Sequence, residues 1–464
     1  MDEEERQESR PPPHEAVEWH LSFVTEAYLP SQIAALKARL KDLGWDERRS
    51  WDRERDPVSP LRASGMSGGW RDLVTLLESG TVLDPLGDRR VEPLPEGVKS
   101  LRLWLGTVTQ SLTVLIAVAE WSEEAGDALD RIANTDYETT YIPSGRGGHT
   151  VYGPAGRKGL EAERCRNAMH RRLSSWLSQR LSGAFTDLEA PLPFLDVVTT
   201  ARARLFADDE VIWSHHDYRE LLGLLPRDGV ATSPSLPGWT LALPEREEPQ
   251  TLILGARTVD VFTSKLLSMQ GDEEARWAML HYLDDRVKPT LLGWTTLRLV
   301  QAFETYFAAT RDRELASHER LSRFTKRIAR DELEVLRRGR DAAALCADID
   351  ARPSGEDLFL MRGLDFTISY PYDRPNVALR EFWDWQIRER IGLVARLERD
   401  QRGQLVAVSE LSGLAQNLGV QARILVLTIV LALLALATIA LGVVQLTSGG
   451  DTKVVTVTTP APSK

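Results

Sequence analysis

Residues 112–121 read LTVLIAVAEW. From Thr113 the run is nearly continuous apolar, with Glu120 the one charged residue in the stretch. Strands buried on both faces carry such runs, so the segment predicts a central strand of a sheet covered on both sides. Leu101–Thr107 precedes it as a second strand, joined near Gln110-Ser111, and Ser122-Glu123-Glu124 opens a helix to about Asn134.

Working outward to the N-terminal side, residues 16–24 (AVEWHLSFV) alternate Val17, Trp19, Leu21 and Phe23 with Glu18, His20 and Ser22. That is the period of a half-buried strand. Pro30-Ser31 then opens a helix, with Ser31 as its N-cap, Ile33, Leu36 and Leu40 on one face and Gly44 as the stop. Residues 45–69 read as a loop and residues 70–77 as a short helix. Leaving that short helix aside, the order βαββα predicts an α+β domain over residues 16–143, an N-terminal α/β sandwich of ferredoxin-like arrangement. Residues 1–15, acidic and then Pro-rich, read as a disordered leader that lacks the basic and apolar regions of a signal peptide.

Residues 144–270 read as a Gly-rich loop, a long helix and a second strand set. The loop, SGRGGHTVYGPAGRKG at 144–159, lacks the Gly-Lys-Ser/Thr ending of a phosphate-binding loop, because Gly159 follows Lys158. It reads as a surface loop. Residues 160–181 form an amphipathic helix, and strands follow at 194–200 (or on to Phe206), 211–213, 239–243 and 251–262.

Residues 271–423 read as a helical region and stalk. Apolar residues at helical spacing run from Trp277 to Phe307, interrupted by Pro289, and residues 311–340 continue as a charged helix. A break at 353–375 holds a strand-like piece at 364–370. From Asn376 the chain is helical again, with Ile387, Ile391, Val394, Gln401, Leu405, Val408 and Ala415 on an imperfect heptad, loosened by Gly403, Gly413 and Gly419. The stripe fits either a helix packed on its neighbours or a homo-oligomeric coiled coil.

Residues 424–446 carry no charge, and Thr428, Thr438 and Gln445 are the polar side chains among them. About 23 residues at 1.5 Å each span roughly 35 Å, enough for a hydrocarbon core of about 30 Å. This predicts one C-terminal transmembrane helix. The Arg-rich approach (Arg390, Arg396, Arg399, Arg402, Arg423) puts the N-terminal bulk in the cytoplasm of a single-pass cell-membrane protein. Residues 447–464 then form a short extracytoplasmic tail.

The formal net charge of −11 argues against a nucleic-acid partner, since neutralising phosphates needs a basic surface. Cys165 and Cys346 are far apart and have no CxxC partner, which excludes a zinc site or disulfide framework. Ser214-His215-His216-Asp217 is the densest group of catalytic residue types, but adjacent histidines cannot readily share a metal, and turn chemistry explains the group. His20, His149 and His281 each stand alone. No catalytic, cofactor-binding or metal-ligating residue set is assembled, so no cofactor is expected and the chain reads as a non-enzyme.

Several segments, in order, resemble the CATRA proteins, the caspase/TPR-repeat-associated proteins of bacterial conflict systems. They are VEWHLSFVTE at 17–26, LTVLIAVAEW at 112–121, TTARARLFADD at 199–209 before VIW, GWTLALPE at 238–245, QTLILGARTVDVF at 250–262 and WAMLHYLDDRVKPTLLGWTTLRLV at 277–300. Pro289 and the polar DDRVKP stretch depart from the family's cleaner helix. The resemblance spans residues 16–345 and carries over no catalytic residue. It implies a membrane-anchored partner-binding or sensing component of bacterial immunity, acting with a caspase- or CHAT-like peptidase and a TPR protein. Two alternative readings stand beside it. One is an oligomeric ion channel or transporter resembling the CorA class, whose Gly-Met-Asn turn and second span are missing. The other is a membrane-anchored hydrolase using His215 or His216.

Overall fold

The computed structural model describes residues 16–45, 56–63, 70–78, 89–143, 149–201, 221–222, 229–243, 251–258, 272–316, 321–351, 365–369 and 376–448. The chain divides into two compact units, residues 1–319 with 333–399, and residues 320–332 with 400–464.

The first unit opens with β1 (Val17–Tyr28), followed by a 3-10 turn and helices α1 (Ile33–Asp42) and α2 (Ser59–Ala63). Strands β2 (Trp70–Leu77), β3 (Arg89–Val91), β4 (Val98–Thr109) and β5 (Leu112–Trp121) follow, then short helices α3 (Glu123–Gly126) and α4 (Ala128–Ala133). A hairpin of β6 (Thr140–Pro143) and β7 (His149–Tyr152) leads into α5 (Pro154–Arg180) and α6 (Ala184–Asp187). Next come β8 (Phe194–Thr200), β9 (Gly229–Thr232), β10 (Trp239–Leu243) and β11 (Thr251–Arg257). Two long helices, α7 (Asp272–Ala316) and α8 (Leu321–Asp350), precede β12 (Thr367–Ser369), β13 (Val377–Ala378) and α9 (Leu379–Ser448).

The two strand sets form one mixed sheet of eleven strands, ordered β13-β12-β9-β10-β11-β8-β1-β5-β4-β2-β3. β1 lies between β5 and β8, antiparallel to both, with Ser22 opposite Ala119 on one side and Asp196 on the other. The joint between β8 and β11 is parallel. As the apolar run predicts, β5 is central and every residue of it is buried except Glu120.

Helices cover both faces. Tyr28 Oη donates to the Leu181 carbonyl at the end of α5, 2.8 Å away. On the opposite face Thr295 Oγ1 of α7 donates to Thr25 Oγ1 at 2.7 Å. α7 also sets Lys288 Nζ 3.7 Å above the Trp104 ring, a contact that keeps a buried ammonium partnered beside Pro289. The helix runs through Pro289. The first turns of α9 bury Trp383, Ile387, Ile391 and Val394 in the same core as the sheet, and Arg390 pairs with Glu304 of α7 at 2.6 Å.

The structure corrects three expectations. Residues 70–77 form β2, not a helix: a β-bulge between Asp72 and Val74 breaks the two-residue alternation and leaves Trp70, Leu73, Val74 and Leu77 at helix-like spacing. Ser31 does not cap α1. It sits in the 3-10 turn, its Oγ donates to Asp341, and Gln32 Oε1 accepts from the Leu29 amide at 3.0 Å. The Gly-rich segment is not a surface loop beyond residue 148, since 149–152 form β7 and Pro154 starts α5, suited to a first turn by its missing N–H. Gly44 does end the α1 segment, at φ +66°.

The second unit contains the start of α8 and α9 from residue 400 onward. Every side chain described between residues 423 and 439 is exposed. Those 16 apolar-rich residues from 424 cover about 24 Å, short of a bilayer core of about 30 Å. Among the described residues, no helix is long and apolar enough to cross a membrane.

Candidate functional site

A carboxylate in the middle of the sheet gathers charged and polar side chains in the core. Asp196 is fully buried in β8, between β1 and β11. A charge there stands only if it is paired and hydrogen-bonded. The partners come from α5, where Arg166 and His170 are four residues apart and share a face. His170 Nε2 lies 2.9 Å from Asp196 Oδ1, and Arg166 Nη1 lies 3.9 Å from Oδ2. Ser22 of β1 donates to the same Oδ1 at 2.5 Å and accepts from Trp121 Nε1 at 3.0 Å. His170 stacks on Phe194 with ring centres 3.8 Å apart, and the Trp19 ring meets it edge-on at 5.7 Å. Arg166 Nη2 also donates to the Leu222 carbonyl at 2.6 Å.

This group contains a serine, a histidine and a carboxylate, but its wiring is not that of a nucleophile. An activated serine donates to the histidine, and the carboxylate orients the histidine from behind. Here the carboxylate stands between the other two, and the Ser22 hydroxyl donates to Asp196. Ser22 is fully buried, and Arg166 and His170 are each 6% exposed. The arrangement fastens α5, β1 and the residue pair 221–222 to β8.

A second buried carboxylate lies farther along β1. Burial pushes the Glu26 carboxyl up to about 7, against hydrogen bonds from Thr186, Ala27 and Phe185 that favour its charged form. Thr186 Oγ1 donates at 2.7 Å, and the Ala27 and Phe185 amides at 2.8 and 3.0 Å. Glu26 thereby satisfies the first N–H groups of α6. Gly183 permits this, because a Cβ there would lie 2.7 Å from Glu26 Cγ and closer still to the Ala27 carbonyl oxygen.

His20 is the extra residue of a bulge between Trp19 and Leu21, with Nε2 2.6 Å from Thr199 Oγ1 and 3.5 Å from Glu18. It borders a depression lined by Glu18, Glu120, Trp121 and Gly126, with room for about one or two waters. His149 is exposed on β7. His281 lies in α7, its side chain outside the described residues, and Ser214-Asp217 lies outside them altogether. Cys165 and Cys346 are free thiols. Burial, with the Asp350 and Glu398 charges adding, pushes Cys346 up to about 12, so its nucleophilic thiolate is suppressed. Among the described residues, no group of three or more metal-ligating side chains converges.

Sequence reading singled out none of Asp196, Arg166, His170 and Glu26. The available signal was a carboxylate inside a run otherwise fit for burial, as in FLDVVTT and LSFVTEAY. No protein-family model, curated protein or solved structure matches this chain.

Proposed function

We propose that this protein is a membrane-anchored, non-enzymatic partner-binding or sensing component of a bacterial conflict system. α9 is the observation that supports the anchor. It is one helix from Leu379 to Ser448, buried at Trp383 and Ile387 and carrying exposed apolar side chains from Ile424 to Ile439. Its helical backbone continues through the rest of the charge-free run to residue 446. A helix apolar on all sides belongs in a core or in lipid. The whole run is long enough for lipid, with the Arg-rich side in the cytoplasm.

The ferredoxin-like reading draws support from the order β8-β1-β5-β4, visited by the chain as β1, β4, β5, β8 with all neighbours antiparallel. That is the order of the β-α-β-β-α-β arrangement, with β2 and β3 added at one edge. The non-enzymatic reading rests on the Ser22–Asp196–His170 wiring, which provides no nucleophile. The partner class, a caspase- or CHAT-like peptidase or a TPR protein, rests on the CATRA resemblance alone.

The test is a full-length chain and one ending at residue 420, expressed in bacteria and fractionated. Full-length protein should stay with membranes through alkaline carbonate, and the shortened chain should be released. Cross-linking before solubilisation should recover a peptidase or repeat protein with the full-length chain. Full-length protein released by carbonate would sink the anchor, and recovery of neither partner type would sink the conflict-system reading.

A further inference from the structure

We propose that the apolar surface of α9 over residues 424–439 is solvated by fatty acyl chains on every side, leaving each chain in the bilayer as a single, laterally free copy. This rests on the membrane reading above and goes beyond it, because an anchor can equally be built to pair. Three features argue for lipid as the one occupant.

The first is the lack of a distinct stripe. Successive helical residues step by about 100°, so four in a row cover the circumference. Ile424, Leu425, Val426 and Leu427 are exposed by 58–63% and all apolar. The same chemistry recurs at Leu431, Leu433, Leu434 and Leu436. A pore lining needs a polar stripe, and neither turn has one.

The second is the state of the hydroxyls. Thr428 Oγ1 donates to the Ile424 carbonyl and Thr438 Oγ1 to the Leu434 carbonyl, both at 2.8 Å. Hydroxyls glue membrane helices together by bonding across to a neighbour. These two protons are already used within their own helix, which also removes the penalty of an unmade hydrogen bond in hydrocarbon.

The third is the fate of the heptad. Its first members, Ile387, Ile391 and Val394, are 0–1% exposed inside the core of their own chain. A parallel coiled coil would have to extract them. The seam is therefore closed to a second copy over that stretch.

The experiment uses the full-length chain, labelled on its N-terminal amine with donor or acceptor dye, in phosphatidylcholine vesicles containing phosphatidylglycerol. Diluting the protein tenfold in lipid should lower energy transfer about tenfold, as for random encounters. Thr438→Val and Thr428→Val should leave that curve unchanged. Transfer that survives dilution overturns the proposal, and its loss in Thr438→Val would assign the contact to the span. Flotation of the same samples separates the two readings. Protein that fails to float overturns the membrane anchor itself, whereas protein that floats with dilution-resistant transfer overturns only the single-copy proposal.

Discussion

Residues 194–200 and residues 424–439 treat polar and apolar side chains in opposite ways. β8 takes a carboxylate, Asp196, into a place with no solvent contact and surrounds it with Ser22, His170 and Arg166. α9 leaves Ile424 to Ile439 exposed and closes its two hydroxyls onto its own carbonyls. Both departures from apolar-inside are the informative kind, a buried charge and an exposed apolar patch. The first holds three elements together from within. The second leaves a run of apolar side chains uncovered along one helix. In the sheet Asp196 Oδ1 takes hydrogen bonds from distant parts of the chain, whereas in α9 each hydroxyl bonds a carbonyl four residues back.

The comparison can be broken most severely at Asp196. Asp196→Ala leaves Arg166 and His170 buried without their carboxylate, and losing one partner of a buried ion pair costs about 3–5 kcal/mol. Denaturant unfolding of detergent-solubilised full-length protein should show a loss of that size. A loss under about 1 kcal/mol would mean the cluster is not a clamp. The matching change on the other side is Leu434→Arg, which adds about 3 kcal/mol to membrane insertion at a span centre. It should raise the carbonate-soluble fraction while leaving the unfolding midpoint of the sheet-containing unit where it was. A shift in that midpoint would show that the two regions are not independent.

A subtler break is pH. The folded Glu26 carboxyl titrates near 7, above its ordinary 4.5, so the folded state binds the proton more tightly than the unfolded chain. Its contribution to stability is full below about pH 4.5 and is lost as pH rises through about 7, by on the order of 3 kcal/mol at most. Comparing Glu26→Gln with the parent between pH 5 and 8 should remove this fall, and identical pH slopes would refute it. The smallest expected effect sharpens the picture of α9. A Cβ at Gly392 meets nothing within 4 Å, so Gly392→Ala should stabilise by about 0.5–1 kcal/mol in thermal melts.

The centre of the sheet was legible because its period is simple. β5, β8 and β10 fall where apolar runs or β-rich segments predict them, and the β4–β5 turn sits at Gln110-Ser111. β2 looks helical in sequence because one bulged residue converts a strand's alternation into a helix-like spacing. The alternation reaches only Val24, although the first strand continues to Tyr28, because Thr25 and Glu26 look like solvent-facing residues until α7 is placed over the first and α6 over the second. The buried cluster was illegible for the same reason. The partners of Asp196 lie 26 to 174 residues from it, and no local pattern says that a helix at 166–170 will face a strand at 196. The heptad on α9 was visible, but its first half turned out to serve the core.

The position of β1 has a consequence for synthesis. Its two neighbours in the sheet are β5, residues 112–121, and β8, which begins at Phe194. At 5–20 residues per second, the gap from Tyr28 to Phe194 takes roughly 10–30 s to translate. For that time an apolar strand carrying Trp19, Phe23 and Tyr28 has one ladder of backbone donors and acceptors waiting for its partner. The growing chain is thus most vulnerable to mispairing before residue 200 has emerged, well ahead of the apolar helix at its far end.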